Sequence, residues 1–142
     1  MRLSHVILGE ILYYDPEFEK EIDKIKDQGG KYLGSVDYGA AYLLYGRVYK
    51  VITDEIELEH AHILKGKKTN NFAHIYDVET LDTKLGIIQM EVLGDFKGEI
   101  PEEWIEAVEA EAERLGIDPD ELDIRPSNIM VNQKNHLKLV DI

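Results

Sequence analysis

The chain has 142 residues, 44% of them hydrophobic, no cysteine, and a net charge of −13. That length suits one domain with a packed core, and the lack of cysteine excludes a disulfide framework or a thiolate metal site. Such a charge repels nucleic-acid backbones and anionic membrane surfaces, so any phosphate site has to be local and metal-assisted. No apolar run approaches the ~20 residues of a membrane span. Met1 to Gly9 lacks the apolar core and cleavage site of a signal peptide. The expectation is therefore a complete cytoplasmic protein that meets neither nucleic acid nor membrane.

In chain order, Leu3 to Tyr14 reads as a strand or a short helix. Asp15-Pro16 is an N-cap and first helical position. The helix they open carries Phe18, Ile22 and Ile25 on one stripe and ends at Gln28-Gly29-Gly30. The period then changes to that of short strands, predicted over Lys31 to Val36, Ala40 to Tyr45 and Arg47 to Ile52. A Tyr45-Gly46 turn joins the last two into a hairpin. Asp54 with Glu57 forms a capping-box-like start for a helix to about Lys65. Its stripe is read as Ile56, Ala61, Ile63 and Leu64. Strands follow over Phe72 to Val78 and Leu85 to Leu93. Pro101 to Leu115 is a helix with Trp104, Ile105, Val108, Ala112 and Leu115 on one face and a Glu-rich, solvated opposite face. Ile129 to Val131 and Leu137 to Val140 predict a last hairpin. The pattern is α+β with a largely antiparallel sheet.

Chemistry concentrates at the C-terminus. Asp123, Asn128 and Asp141 bring three oxygen-bearing side chains to one end of a small hairpin, a donor set suited to Mg²⁺ and phosphates. The alternative for Asp123 and Asn128 is that they are ordinary turn and cap residues. His60 and His62 diverge on a helix and are read as structural.

The run Asp123-Ile124-Arg125-Pro126-Ser127-Asn128, a hairpin, then Asp141 resembles the catalytic loop and metal-binding Asp of protein kinases and related small-molecule phosphotransferases. Earlier segments resemble that family in the same order. Gly34 to Tyr42 looks like its glycine-rich loop, with Gly34 and Gly39 at glycine positions and Val36 at a third. Val48-Tyr49-Lys50 looks like the strand of the phosphate-pairing lysine. Glu59, or Glu55 one turn earlier, stands where the lysine's partner would be. Met90 to Gly94 resembles the hinge, with Met90 as gatekeeper and the backbone at Glu91 and Leu93 open to adenine.

The resemblance implies a reduced kinase-like domain spanning 1–142. Residues 1–30 would form an N-terminal extension with a helix, 31–93 an N-lobe-type sheet and helix, and 94–142 a helix and catalytic-loop hairpin. Most of the helical C-lobe would be absent. It implies ATP and Mg²⁺ as cofactors, Lys50 on phosphates, Asn128 and Asp141 on the metal, and Asp123 orienting an acceptor hydroxyl. Glu121 stands in place of the family's His, and no Phe-Gly follows Asp141. Two functions stay open: phosphoryl transfer to a small molecule or partner protein, and a catalytically inactive kinase-like scaffold. The Trp104, Ile105 and Val108 stripe, without further helices over it, predicts a homodimer.

Overall fold

The computed structural model describes residues 16–36 and 38–140. The reading of Leu3 to Tyr14, the Asp15 cap and Asp141 lie outside the described residues.

Helix α1 (Pro16–Asp27) leads into a five-stranded antiparallel sheet of β1 (Lys31–Val36), β2 (Gly39–Leu44), β3 (Arg47–Thr53), β4 (Ile75–Thr80) and β5 (Leu85–Met90), in the order β1-β2-β3-β5-β4. Helix α2 (Glu55–Leu64) connects β3 to β4. A second sheet holds β6 (Gly94–Asp95), β7 (Ile129–Val131) and β8 (Leu137–Leu139), with helix α3 (Glu102–Leu115) between β6 and β7. The β2–β3 hairpin turns through Tyr45 at φ 53° and Gly46 at φ 76°. Two consecutive left-handed residues match the right-handed strand twist, as the Tyr45-Gly46 pair predicts.

Side chains alternate across the large sheet and both faces are covered. On one face, Ile22 and Ile25 of α1 meet Ala40, Tyr42, Leu44, Val51, Leu85 and Ile87. On the other, Ile52, Ile88 and Met90 meet Leu58, Ala61 and Leu64 of α2. Gly86 lets α2 come close, since a Cβ there would stand 2.4 Å from Leu58 Cδ2 and 2.8 Å from the Glu79 carbonyl.

The second core is the larger one and crosses between the two sheets. It includes Phe72, Ala73, Val108, Ala112, Ile117, Ile129 and Leu139 alongside the α2 and β5 residues. Each leucine or isoleucine buried there contributes about 1.5–3 kcal/mol. Residues of the predicted 31–93 and 94–142 sections thus share one interior.

Several boundaries move for physical reasons. The strand predicted from Phe72 starts at Ile75, because the segment before it pairs with β8 instead. Leu139 N–H donates to Asn71 O at 2.8 Å, and Ala73 N–H donates to Leu139 O at 3.0 Å. The α2 stripe is Leu58, Ala61 and Leu64 flanked by Glu57 and His60, with Ile56 48% exposed. The α3 stripe meets the chain's own core: Val108 and Ala112 are buried, and Trp104 and Leu115 pack against the same cluster. One glutamate of this helix lies on the buried stripe, three residues after Val108. Glu111 is buried and accepts from Asn70 N at 2.9 Å, Asn71 N at 2.9 Å and Asn71 Nδ2 at 3.1 Å.

Candidate functional site

Lys50 lies mid-strand in β3, paired in register with Ala41 on β2 and Ile88 on β5. Alternation turns its side chain to the α2 face, and it is 4% exposed. A buried ammonium requires a charged partner. That partner is Glu57, 3% exposed, whose Oε2 accepts from Lys50 Nζ. The expectation of Glu59 or Glu55 is corrected: both are exposed, and α2 turns Glu57 toward β3. Glu57 is also the capping-box position. The Asp54 side chain caps α2, accepting from Ile56 N at 3.0 Å and Glu57 N at 3.3 Å, while the Glu57 carboxylate goes to Lys50.

Lys50 Nζ also donates to the Val140 carbonyl at 3.2 Å. Val140 N–H in turn donates to the Asn128 carbonyl at 2.9 Å. Asn128, 5% exposed, closes the turn Pro126–Asn128, and its Nδ2 donates to the Asp123 carbonyl at 3.0 Å. Lys50, Val140, Asn128 and Asp123 therefore form one hydrogen-bonded series from the large sheet to the loop before β7. Its far end is exposed: Asp123 Oδ2 lies 2.9 Å from Arg125 Nη2, with the two side chains 52% and 53% exposed. Val140 carries the series to the residue preceding Asp141.

The two glycines serve the backbone of the β1–β2 hairpin. Gly34 sits at φ 153°, where the β1–β2 register shifts. A Cβ on Gly39 would meet the Val51 carbonyl at 2.1 Å, so only glycine lets β2 lie against β3 there. Val36 packs onto the main core from the hairpin.

At the hinge, Met90 is buried and ends β5. Glu91 is tied toward β4: its N–H donates to His74 O at 3.1 Å, and its Oε2 accepts from His74 N at 2.7 Å. Leu93 is half-buried against the main core. A surface concavity nearby takes in Gly46, Tyr76, Glu91 and Val92 with Asn132 to Lys134 and His136; neither Lys50 nor Asn128 lines it.

The histidines diverge as their spacing predicts. His60 Nε2 lies 2.9 Å from Glu121 Oε1, and His62 Nε2 lies 2.7 Å from Thr80 Oγ1. Among the described residues no group of three His, Asp or Glu is placed to hold a metal ion. No described helix is long and apolar enough to cross a membrane.

Two residues of the site escape the sequence reading. Glu57 is hidden by its capping-box position, though Leu58, Ala61 and Leu64 at i, i+3 and i+6 give the buried face. The Val140 carbonyl leaves no sequence signal, because any residue could supply it.

No protein-family model matches the chain, and no curated protein matches it. Solved structures do. A crystal structure of Rad53 1-466 in complex with AMP-PNP is similar with a TM-score of 0.58 at 15% identity, over 92% of this chain and 43% of that one. A crystal structure of the Mycobacterium tuberculosis PknI kinase domain, carrying a single cysteine-to-alanine substitution, is similar with a TM-score of 0.53 at 17% identity, over 78% of this chain and 57% of that one. The chain thus spans about half the length of these structures. At such identities the likeness concerns fold: this chain is α+β, with an antiparallel sheet and a fold like that of protein kinases.

Proposed function

We propose that the chain binds ATP with Mg²⁺ beside Lys50 and positions it for phosphoryl transfer to a small molecule or a partner protein. The observation that carries this reading is the buried Lys50–Glu57 pair joined through Val140 to Asn128. A hydrophobic pair would fill that space at no greater cost in stability, so a buried ion pair is weak evidence of a purely structural role. The similar Rad53 structure, in complex with AMP-PNP, supports an adenine nucleotide as ligand.

The donors fit the cofactor in chemistry. Asn128 spends its amide N–H on Asp123, which leaves its side-chain oxygen as the group for a hard cation. Asp141 would be the carboxylate ligand. Bound Mg²⁺ supplies neutralisation of phosphate charge. Lys50, fixed by Glu57, places a positive charge for the α- and β-phosphates. The backbone at Glu91 and Leu93 would receive the adenine. The Asp123 carboxylate would orient the acceptor hydroxyl; its exposed pair with Arg125 contributes only about 0–1 kcal/mol and yields readily. Such catalysis is positioning and electrostatics.

The test is thermal unfolding with and without ATP and Mg²⁺, on wild type, Lys50→Met and Asp141→Ala. Ligand at ~100 times its dissociation constant adds about 2.7 kcal/mol, a rise of roughly 5–15 °C for a domain of this size. The rise should need Mg²⁺ and vanish in both variants. No rise in wild type at millimolar ATP and Mg²⁺ sinks the proposal.

A second reading, a nucleotide-binding scaffold without turnover, draws on Val36 seated on the core and on Glu121 engaged with His60. A Mg²⁺-dependent rise with no release or transfer of phosphate would favour it.

A further inference from the structure

Glu121 occupies a position where the sequence resemblance has histidine, and its carboxylate meets a histidine across the fold. His60 is 3% exposed, whereas the Glu121 side chain is 44% exposed. A carboxylate only accepts, so the ring nitrogen His60 Nε2 donates to Glu121 Oε1. The two residues stand 61 positions apart.

Each end of this bond is anchored. Glu121 closes the turn Pro119–Glu121, where Asp118 accepts from Asp120 N at 2.9 Å and Glu121 N–H donates to Asp118 O at 3.0 Å. His60 lies one turn beyond Glu57 on α2, so both project from the same buried face. Leu58, Ala61 and Leu64 add apolar contacts along that side of the helix. Apolar packing sets which face of a helix is buried but, being non-directional, leaves its fine rotation loose. A hydrogen bond is directional and fixes it.

We propose that Glu121 is a positioning residue: by accepting the His60 hydrogen it sets the rotation of α2 at which Glu57 grips Lys50. The bond itself concerns only this chain. Its consequence for ligand binding rests on the reading of Lys50 as the phosphate-binding group. Glu121 would then link the segment that leads into Asp123 to the lysine 71 residues earlier in the sequence, so that both ends of the site keep one register.

The experiment follows reductive methylation of lysines in the ligand-free protein, with formaldehyde and cyanoborohydride, read peptide by peptide by mass spectrometry. Lys138 is the internal control. It is also buried, at 8% exposed, but its Nζ donates to the Asn70 carbonyl at 2.9 Å, a partner outside α2. Glu121→Ala, at a half-exposed side chain, should fold. Loss of one hydrogen bond raises the population in which Lys50 is open by about five- to tenfold. The Lys50 methylation rate should rise by that factor while Lys138 keeps its wild-type rate. Glu121→Gln retains an acceptor oxygen and should stay within about twofold of wild type. The proposal is overturned if Lys50 is unchanged in Glu121→Ala, if both lysines speed up together, or if Glu121→Gln is as reactive as Glu121→Ala. The assay contains no nucleotide, so failure of ATP to stabilise the wild-type protein would remove the proposed function and leave this result standing.

Discussion

Replacing Glu57 by alanine tests the centre of the site most directly. The mutation leaves Lys50, 4% exposed, in the core with the Val140 carbonyl but without the Glu57 carboxylate. Breaking a buried pair from one side is destabilising by about 3–5 kcal/mol, because the remaining charge stays buried without the Glu57 carboxylate. With an unfolding entropy of ~2.1 cal/mol/K per residue over 142 residues, that lowers the midpoint by roughly 10–17 °C. Glu59→Ala, on the exposed face of the same helix, should change stability by less than about 0.5 kcal/mol, or under ~2 °C. The double variant Lys50→Met/Glu57→Leu removes both charges and should recover most of the loss. Circular dichroism melts of the four proteins, with urea titrations at 25 °C, give the comparison. If Glu59→Ala destabilises as much as Glu57→Ala, the assignment of the Lys50 partner is wrong. If the double variant is no better than Glu57→Ala alone, the account of the cost as a stranded charge is wrong.

Gly86→Ala forces a Cβ to within 2.4 Å of Leu58 Cδ2 and 2.8 Å of a backbone carbonyl; a loss of about 1–3 kcal/mol is expected from urea midpoints. Gly46→Ala meets no atom within 4 Å and carries only the strain of φ 76°, about 1–2 kcal/mol. Glu111→Ala orphans the backbone donors of Asn70 and Asn71 and should lower stability by about 2–4 kcal/mol. Faster hydrogen exchange at those two amides would accompany it, and unchanged exchange would argue against the clamp. Asp82 accepts from Leu85 N at 2.8 Å and Lys84 N at 2.9 Å, and these bonds hold its carboxyl below the ordinary aspartate value. A depressed folded pKa contributes stability above the unfolded value of ~3.9 that is lost as pH falls through the folded one. Asp77 behaves alike, lowered first by its hydrogen bond from Lys65. NMR titration of both carboxyls should show midpoints below ~3.9, and Asp82→Asn should flatten stability against pH in that window.

Local chemistry is readable where neighbours in sequence are neighbours in space. The strand Lys31–Val36 and the strand Ile129–Val131 fall on the predicted residues, since alternation and turn residues fix them. The bond from Asn128 to Asp123 is likewise a property of one short loop. Readings fail where a distant element competes for a group. In sequence Glu57 looks like half of a capping box and Glu111 like one of many solvated glutamates. Each is buried because a segment far along the chain supplies its donors, Lys50 in one case and Asn70 with Asn71 in the other. Phe72 leaves the predicted strand for β8 by the same competition.

The bond between Lys50 and Val140 closes a span of 90 residues. Contacts of that range form only after most of the chain's entropy has been given up, so they come late in folding. During synthesis Lys50 leaves the ribosome many seconds before Val140, at ~5–20 residues per second. The five-stranded sheet can assemble in that interval with its buried lysine still waiting for the carbonyl that lies 90 residues later. A nascent chain at that stage holds both Lys50 and Glu57 but lacks the Val140 carbonyl to which the ammonium also donates. The Lys50–Val140 bond thus reports that the segment after β8 has docked on the large sheet.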